Sequence, residues 1–200
     1  MRKKKQPQNM GIPNKEFVKI ETMPASDWDK QILISYSFCN SPIGKIIVAS
    51  MPQGVCYVGY ADSPESALLE LQKRFPNDTF RKRKNRFHER VKKLFAGKWE
   101  KDKKLPLFLK GTEFQIKVWE ALLQIQTGGM TTYGKIATSI GFPKAQRAVG
   151  TAIGKNPILY IIPCHRVIAQ NGKLGGFYWG IDKKIELLNW ENAGYLHFVS

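Results

Sequence analysis

From Ile32 onward the hydrophobic pattern of the chain falls into short blocks. ILISYSF (32–38), KIIVAS (45–50) and VCYVGY (55–60) are apolar runs separated by Ser41-Pro42-Ile43-Gly44 and Pro52-Gln53-Gly54. Three β-rich runs joined by brief Pro/Gly turns predict an antiparallel meander. Ser63-Pro64-Glu65 then reads as an N-cap with proline at the first helical position. In the stretch it opens, Ala67, Leu68, Leu71 and Phe75 share one helical face. A second helix is predicted from about Asn85 to Ala96, stopped by Gly97. Lys98 to Lys110, with Pro106 and scattered charge, reads as a strand remnant or a linker. Residues 1–29 are polar, with Pro7, Pro13 and Pro24 among charges, and predict a flexible basic tail.

At Gly111 the composition shifts again, and from there the chain reads as helices. Thr112 with Gln115 has capping-box spacing, and Phe114, Val118, Trp119, Leu122 and Ile125 form an apolar stripe as far as Gly128-Gly129. Thr132 predicts the cap of a short helix, Tyr133 to Ile140, closed by Gly141. Another helix is predicted from Pro143 to about Lys155, ended by Asn156-Pro157. Two short helices around a tight Gly-containing turn have the form of a helix-turn-helix. Lys144, Gln146, Arg147 and Thr151 would lie on the exposed side of the second helix, whose other positions are small: Ala145, Ala148, Gly150 and Ala152. Small residues permit close approach to another helix or to DNA, and the pattern alone fits both.

Composition narrows the class. The 200 residues, 42% hydrophobic and 12% aromatic, suffice for one ordinary domain or two small ones. No run of 18 apolar residues spans a membrane, and the basic residues at the N-terminus are followed by no apolar segment of the secretory type. Cys39, Cys56 and Cys164 are odd in number and contain no CxxC pair, which argues against a disulfide framework and for a reducing, cytoplasmic setting. The net charge of +16, with pI near 9.8, favours a polyanionic partner, nucleic acid before anionic membrane. Residues 81–104 concentrate it, with twelve basic side chains against Glu89, Glu100 and Asp102. A solvated basic helix and loop accounts for that run as well.

The candidate chemistry lies in Ile161-Ile162-Pro163-Cys164-His165-Arg166-Val167. The thiolate is the nucleophilic form of cysteine and forms at neutral pH only with help from its neighbours. His165 and Arg166 could favour the anion, and His165 could take the proton through one water, since adjacent side chains on an extended chain diverge. As bare residues the dipeptide equally fits a buried small side chain beside a satisfied histidine.

Pro-Cys-His-Arg-Val resembles the active-site signature of the O6-alkylguanine-DNA alkyltransferases, the methylated-DNA–protein-cysteine methyltransferases. Gly111-Thr112-Glu113-Phe114-Gln115 with Val118-Trp119, Thr132-Tyr133-Gly134, Arg147-Ala148-Val149-Gly150, Asn156-Pro157, Gly172-Lys173-Leu174-Gly175-Gly176 and Leu187-Leu188 follow in that family's order and spacing. The resemblance covers residues 111–195, whereas the N-terminal part matches in size and character only. It implies an α/β N-terminal domain of ribonuclease-H-like type (30–108) and a helical, winged helix-turn-helix domain (109–195), with 196–200 as a tail. It implies that Cys164 accepts an alkyl group from O6-alkylguanine in double-stranded DNA, once per molecule, after the nucleotide has flipped out. O4-alkylthymine is a further candidate lesion.

The same resemblance implies the roles of the other residues. His165 would be the water-bridged base and Glu191 the carboxylate that orients it. Asn156 would brace the turn that holds Cys164, and Tyr133 would donate to the guanine ring. Arg147 would fill the gap left by the extruded nucleotide, with Lys144, Gln146, Thr151 and Lys184 as further DNA or base contacts. Gly175, Gly176, Phe177 and Trp179 would form one wall of the base pocket. The bulk of Tyr178 and Trp179, where some relatives carry small residues, implies poor acceptance of benzyl-sized groups. No cofactor is implied. Some members hold a structural zinc in the N-terminal domain, but Cys39, Cys56 and His88 form no recognisable ligand set, so no metal is expected. A monomer is expected, cytoplasmic or with the nucleoid in a bacterium and nuclear in a eukaryote. Two rival readings remain: a non-catalytic lesion binder, which the presence of Cys164 opposes, and a thiol hydrolase, which leaves the helix-turn-helix without a role.

Overall fold

A computed structural model describes residues 15–98 and 103–191. Strand β1 (Val18–Thr22) is followed by the meander β2 (Leu33–Ser41), β3 (Gly44–Ser50) and β4 (Val55–Tyr60). The β2–β3 hairpin closes on Pro42-Ile43, with Ser41 paired to Gly44 and Gly44 at φ +107°. After helix α1 (Pro64–Arg74) come β5 (Thr79–Lys82), helix α2 (Arg86–Phe95) and β6 (Leu105–Leu109). The strands make one mixed sheet in the order β1-β6-β4-β3-β2-β5. Every residue of β4 is buried, which explains its unbroken apolar sequence.

Local sequence accounts for the helix ends. Ser63 and Ser66 form a capping box at the start of α1, and the Asn85 side chain accepts from the N–H groups of Phe87 and His88 at the start of α2. The helices cover opposite faces of the sheet. Ala67 and Leu71 of α1 join Ile34, Ile47, Ala49 and Tyr57 in one core. Phe87, Val91, Leu94 and Phe95 of α2 join Ile46, Val48 and Val58 in the other.

The rest of the chain builds on that second core. It comprises α3 (Glu113–Leu122), β7 (Thr131–Thr132), α4 (Tyr133–Ser139), α5 (Gln146–Gly154), a 3-10 turn (Cys164–Arg166), β8 (Val167–Ile168) and α6 (Ile181–Trp190). The expected caps form: Thr112 with Gln115 on α3, and Thr132 on α4. Val118, Trp119, Val149, Ile158, Ile161 and Leu187 belong to the same hydrophobic cluster as Val48 and Val58. A backbone junction reinforces it: the Val58 N–H donates to the Pro157 carbonyl (3.0 Å), and the Leu159 N–H donates to the Val58 carbonyl (2.9 Å). β4 pairs with β6 only at Val55–Leu107, so the segment 157–159 takes the place beside β4 that β6 vacates.

Four sequence expectations change. The expected tail 1–29 contains β1, paired in parallel with all of β6; residues 1–14 of that tail, and the expected tail 196–200, lie outside the described residues. The stretch 98–110 holds a buried strand despite Pro106. The Leu105 N–H bonds to Phe17 on the β1 side (2.7 Å), so Pro106 falls on the side toward β4, where the ladder is almost absent. Helix α5 starts at Gln146, not Pro143, because Ala145 offers no capping side chain and the Ala145 N–H closes a turn onto Phe142. Finally, the apolar run before Pro163, whose composition reads as strand-like, bridges β4 only at Ile158. Tyr160 sits at φ +69°, in the left-handed region that a bulky residue enters only under tertiary constraint.

Candidate active site

Cys164 opens the 3-10 turn directly after Pro163, and its side chain is 5% exposed. What fixes this turn is Asn156, at the end of α5. Its amide Nδ2 donates to the carbonyls of Ile158 (3.2 Å) and Ile162 (2.9 Å) and to Cys164 Sγ (3.2 Å), while its Oδ1 accepts from the Ile158 N–H (2.9 Å). One buried side chain thus closes the loop that carries the thiol. Burial pushes the Cys164 pKa up, against the Asn156 amide, the Lys184 charge and the N–H groups of Cys164 and His165, which pull it down. The net shift is upward, so the group rests as a thiol.

His165 is fully buried and packs its ring on Tyr160, centroids 5.6 Å apart and planes 18° from parallel. Its Nε2 lies 2.9 Å from Glu191 Oε1. Arg166 forks onto the same carboxylate, with Nε 2.8 Å from Oε2 and Nη2 2.7 Å from Oε1, and its Nη1 donates to the Ile125 carbonyl (2.6 Å). Burial alone would raise the Glu191 pKa, but the bonds from His165 and Arg166 outweigh it and hold the carboxyl down to about 2. Burial lowers the His165 pKa in spite of Glu191. A neutral imidazole that donates Nε2–H to an ionised carboxylate keeps its lone pair on Nδ1. Nδ1 bonds to no group among the described residues. The arrangement is therefore an oriented base next to a thiol.

Cys164 opens into a cavity of about 320 Å³ lined by Tyr133, Gly150, Ile153, Asn156, Gly176, Phe177, Tyr178 and Trp179 among others. That is the low end of the range for small-molecule sites, about 300–1,000 Å³. Tyr133 is the first residue of α4, and burial, reinforced by Cys164 when that group is ionised, raises its pKa, so its hydroxyl keeps its proton. Gly175 adopts φ +69°, and a Cβ there would stand 2.8 Å from Tyr133 Oη; only glycine lets the loop close on that hydroxyl. Across the cavity, Trp179 meets Tyr60 edge-on at 6.0 Å, and Tyr178 donates from its hydroxyl to Glu70 on α1.

Helix α5 joins this cavity to the surface. Its Gly150 and Ile153 line the cavity, while Gln146, Arg147 and Thr151, together with Lys144 just before the helix, are exposed on its outer side. The structure corrects one expected contact. Lys184 is fully buried and donates to the carbonyls of Val167 (2.7 Å) and Leu174, with burial lowering its pKa to about 8. It braces the chain after Cys164 and faces no solvent from which DNA could approach. A second correction concerns Arg166, whose charge is spent on Glu191 and is absent from the groups that act on Cys164. Tyr160, held between His165 and Phe95, was not singled out by the sequence; a buried aromatic inside an apolar run carries no local signal. His88 is held by the Ser37 (2.8 Å) and Ser50 (3.0 Å) hydroxyls, and the described residues contain no group of three or more His, Cys, Asp or Glu that could hold a metal.

Residues 113–193 match the family model of the 6-O-methylguanine DNA methyltransferase DNA-binding domain. The regulatory protein Ada of Salmonella typhimurium is 34% identical over 92% of this chain, and the chain spans about half of that protein, 50% of its length. The methylated-DNA–protein-cysteine methyltransferase of Methanosarcina acetivorans is 42% identical over 79% of this chain and 98% of its own length. Among solved structures, the Mycobacterium tuberculosis O6-methylguanine methyltransferase superposes with a TM-score of 0.61 at 37% identity, covering 79% of this chain and 92% of that one. Site geometry and these likenesses agree: the chain belongs to the methylated-DNA–protein-cysteine methyltransferase family.

Proposed function

We propose that the protein repairs double-stranded DNA by moving the alkyl group of O6-alkylguanine onto Cys164, in one irreversible turnover. The observation that carries the reading is the buried thiol on the wall of a cavity of about 320 Å³, held by Asn156 and adjoining the His165–Glu191–Arg166 chain. The likeness to proteins named for that transfer supports it. The N-terminal part is read as a ribonuclease-H-like domain, and α4–α5 with β7–β8 as a winged helix-turn-helix. The protein is read as a monomer acting in the compartment that holds genomic DNA. Among the described residues no helix is long and apolar enough to cross a membrane.

In this reading α5 enters the minor groove, where Ala148 and Thr151 permit close approach and Arg147 replaces the flipped nucleotide in the stack. Lys144 and Gln146 contact the backbone, which holds the duplex without reading sequence. Gly175, Gly176, Phe177 and Trp179 close over the base. The thiol proton passes to His165 Nδ1 through one water, and the resulting imidazolium is stabilised by Glu191. Sulfur then attacks the alkyl carbon, the S–C bond forms as the C–O6 bond breaks, and the electron pair goes to the guanine. Tyr133 hydrogen-bonds or gives its proton to the guanine ring, which stabilises the leaving anion. A thioether has no route back, so each molecule reacts once.

Mass spectrometry of protein incubated with O6-methylguanine duplex tests the reading. The Cys164 peptide should gain the mass of one methylene, and Cys164→Ala should abolish transfer while leaving DNA affinity largely intact. Arg147→Ala should slow repair of duplex far more than reaction with the free modified base. An unmodified Cys164 peptide after incubation with intact protein overturns the proposal in favour of a binding module.

A further inference from the structure

The concentrated charge of residues 81–104 is not used by the site around Cys164. We propose that the edge strand β5 and the solvent face of α2 form a second DNA surface, one that grips phosphodiester backbone away from α5. The partner class follows from the reading above, but the surface shares no residue with the cavity.

Arg81, Lys82, Arg83 and Lys84 are consecutive and all exposed, on β5 and the turn that follows it. Helix α2 turns its apolar residues inward and leaves Arg86 and Lys92 exposed beside them. These cations flank the β5 edge on both faces of the sheet. Lys84 and Lys92 both act on the Cys39 thiol, pulling its pKa down against burial. On the other face of the sheet, the ammonium groups of Lys45 and Lys82 stand 5.7 and 5.8 Å from the centre of the Phe38 ring. Described acidic residues inside the run reduce to Glu89, which is paired with Lys84.

Gathering like charges costs folding free energy through repulsion, which an anionic partner relieves. Protection of a sheet edge explains lysine and arginine on β5, but not the further cations on the solvent face of α2. A membrane surface fits poorly, because amphipathic anchors place large apolar side chains among their cations. No large apolar side chain is exposed on β5 or α2, and the nearest one by strand order is Leu33 on β2. The surface is also separate from α5. β5 lies three strands from β4, the strand that holds segment 157–159, which is about 14 Å at the usual strand spacing. A duplex seated on α5 could reach it with its flank, or a second duplex segment could bind there; both present the same phosphates.

The experiment uses the full chain with Arg81, Lys82, Arg83 and Lys92 replaced by Gln, together with Arg147→Ala as a comparator. Each lost phosphate contact should make the slope of log affinity against log salt shallower by about 0.9. The fourfold variant should therefore lose about 2 to 4 from its slope and at least tenfold in affinity at low salt. Its reaction with free O6-methylguanine should match the wild type, which also reports an intact fold. As an independent variant, Glu89→Gln removes no cation and frees Lys84, so it should bind DNA more tightly. A loss seen on duplexes of about three turns but not of one turn assigns the flank. Loss of wild-type bridging between two differently labelled duplexes assigns a second segment. Unchanged slopes on every duplex overturn the proposal, as does a loss confined to anionic phosphatidylserine vesicles. If the Arg147 variant alone loses affinity, the reading of α5 stands and this surface falls.

Discussion

At the scale of single residues, Asn156 carries more of the site than its place in the sequence suggests. Its side chain is 1% exposed and satisfies two carbonyls, one N–H and the thiol at once. Replacing it with alanine strands those buried groups, at roughly 1–3 kcal/mol for each that stays unpaired. Asn156→Ala should therefore lower the melting temperature by several degrees and slow methyl transfer at least tenfold. Thermal melts and single-turnover rates would measure both, and an unchanged rate in a folded variant would remove Asn156 from the positioning of Cys164. The asparagine was legible from Asn-Pro after a helix, but its bonds were not, since all four partner atoms lie between two and eight residues further along a turn of unusual geometry. Arg166 teaches the converse. Adjacent to His165, it invited an electrostatic role toward sulfur, yet it turns to Glu191, 25 residues later. A carboxylate with a buried guanidinium fork is a fixed anion, which is what an orienting partner for His165 has to be.

At the scale of elements, the loop 175–180 owes its position to α1 as much as to its own sequence. Tyr178 donates to Glu70, and the Arg74 guanidinium lies 4.9 Å from the Tyr178 ring while donating to the Lys155 carbonyl (3.2 Å) at the end of α5. Both walls of the cavity are thus tied to one helix of the other half. With the loop held there, the Trp179 indole lines the cavity beside Cys164, and under the proposed function it narrows the room for a larger O6-substituent. Trp179→Gly should raise the rate with O6-benzylguanine at least tenfold relative to O6-methylguanine. Competition between the two substrates gives the ratio directly, and a ratio that does not move means the indole is no barrier. Element by element, periodicity and caps located the meander, α1, α2, α3 and α4. They missed β1 and undervalued β6, because a parallel edge strand and its partner acquire meaning only from each other. They misplaced the start of α5, because proline marks a permissible first turn without compelling one.

At the scale of the whole molecule, one hydrophobic cluster runs from the sheet through α2 into α3, α5 and α6. Urea unfolding should accordingly be a single transition, coincident by far-ultraviolet circular dichroism and tryptophan fluorescence; two separated transitions would contradict a shared core. The same experiment carries a pH signature. His88 is 2% exposed between two serine hydroxyls, and burial lowers its pKa to about 4, below the ordinary value of about 6.5. The unfolded chain then binds the proton that the folded chain refuses. Stability is full above about pH 6.5 and falls as pH drops toward 4, by about 2–3 kcal/mol from this group. His88→Gln, which keeps a hydrogen-bonding side chain, should flatten that part of the profile. A profile of equal slope in the variant would assign the loss to other groups.

What the sequence determined by itself was everything encoded over short range: capping pairs, apolar periodicity, turn glycines, and the thiol, imidazole and proline set side by side. These depend on residues a few positions apart, so they can be read before the chain folds. Only the tertiary structure decided that Glu191 meets both His165 and Arg166, that Lys184 turns inward to two carbonyls, and that α1 holds the cavity wall. It also seated the run before Cys164 against β4, a hundred residues upstream. The physical reason is burial. Water is removed from these groups only when distant segments close over them, and each polar group then takes whichever partner the packing brings within reach.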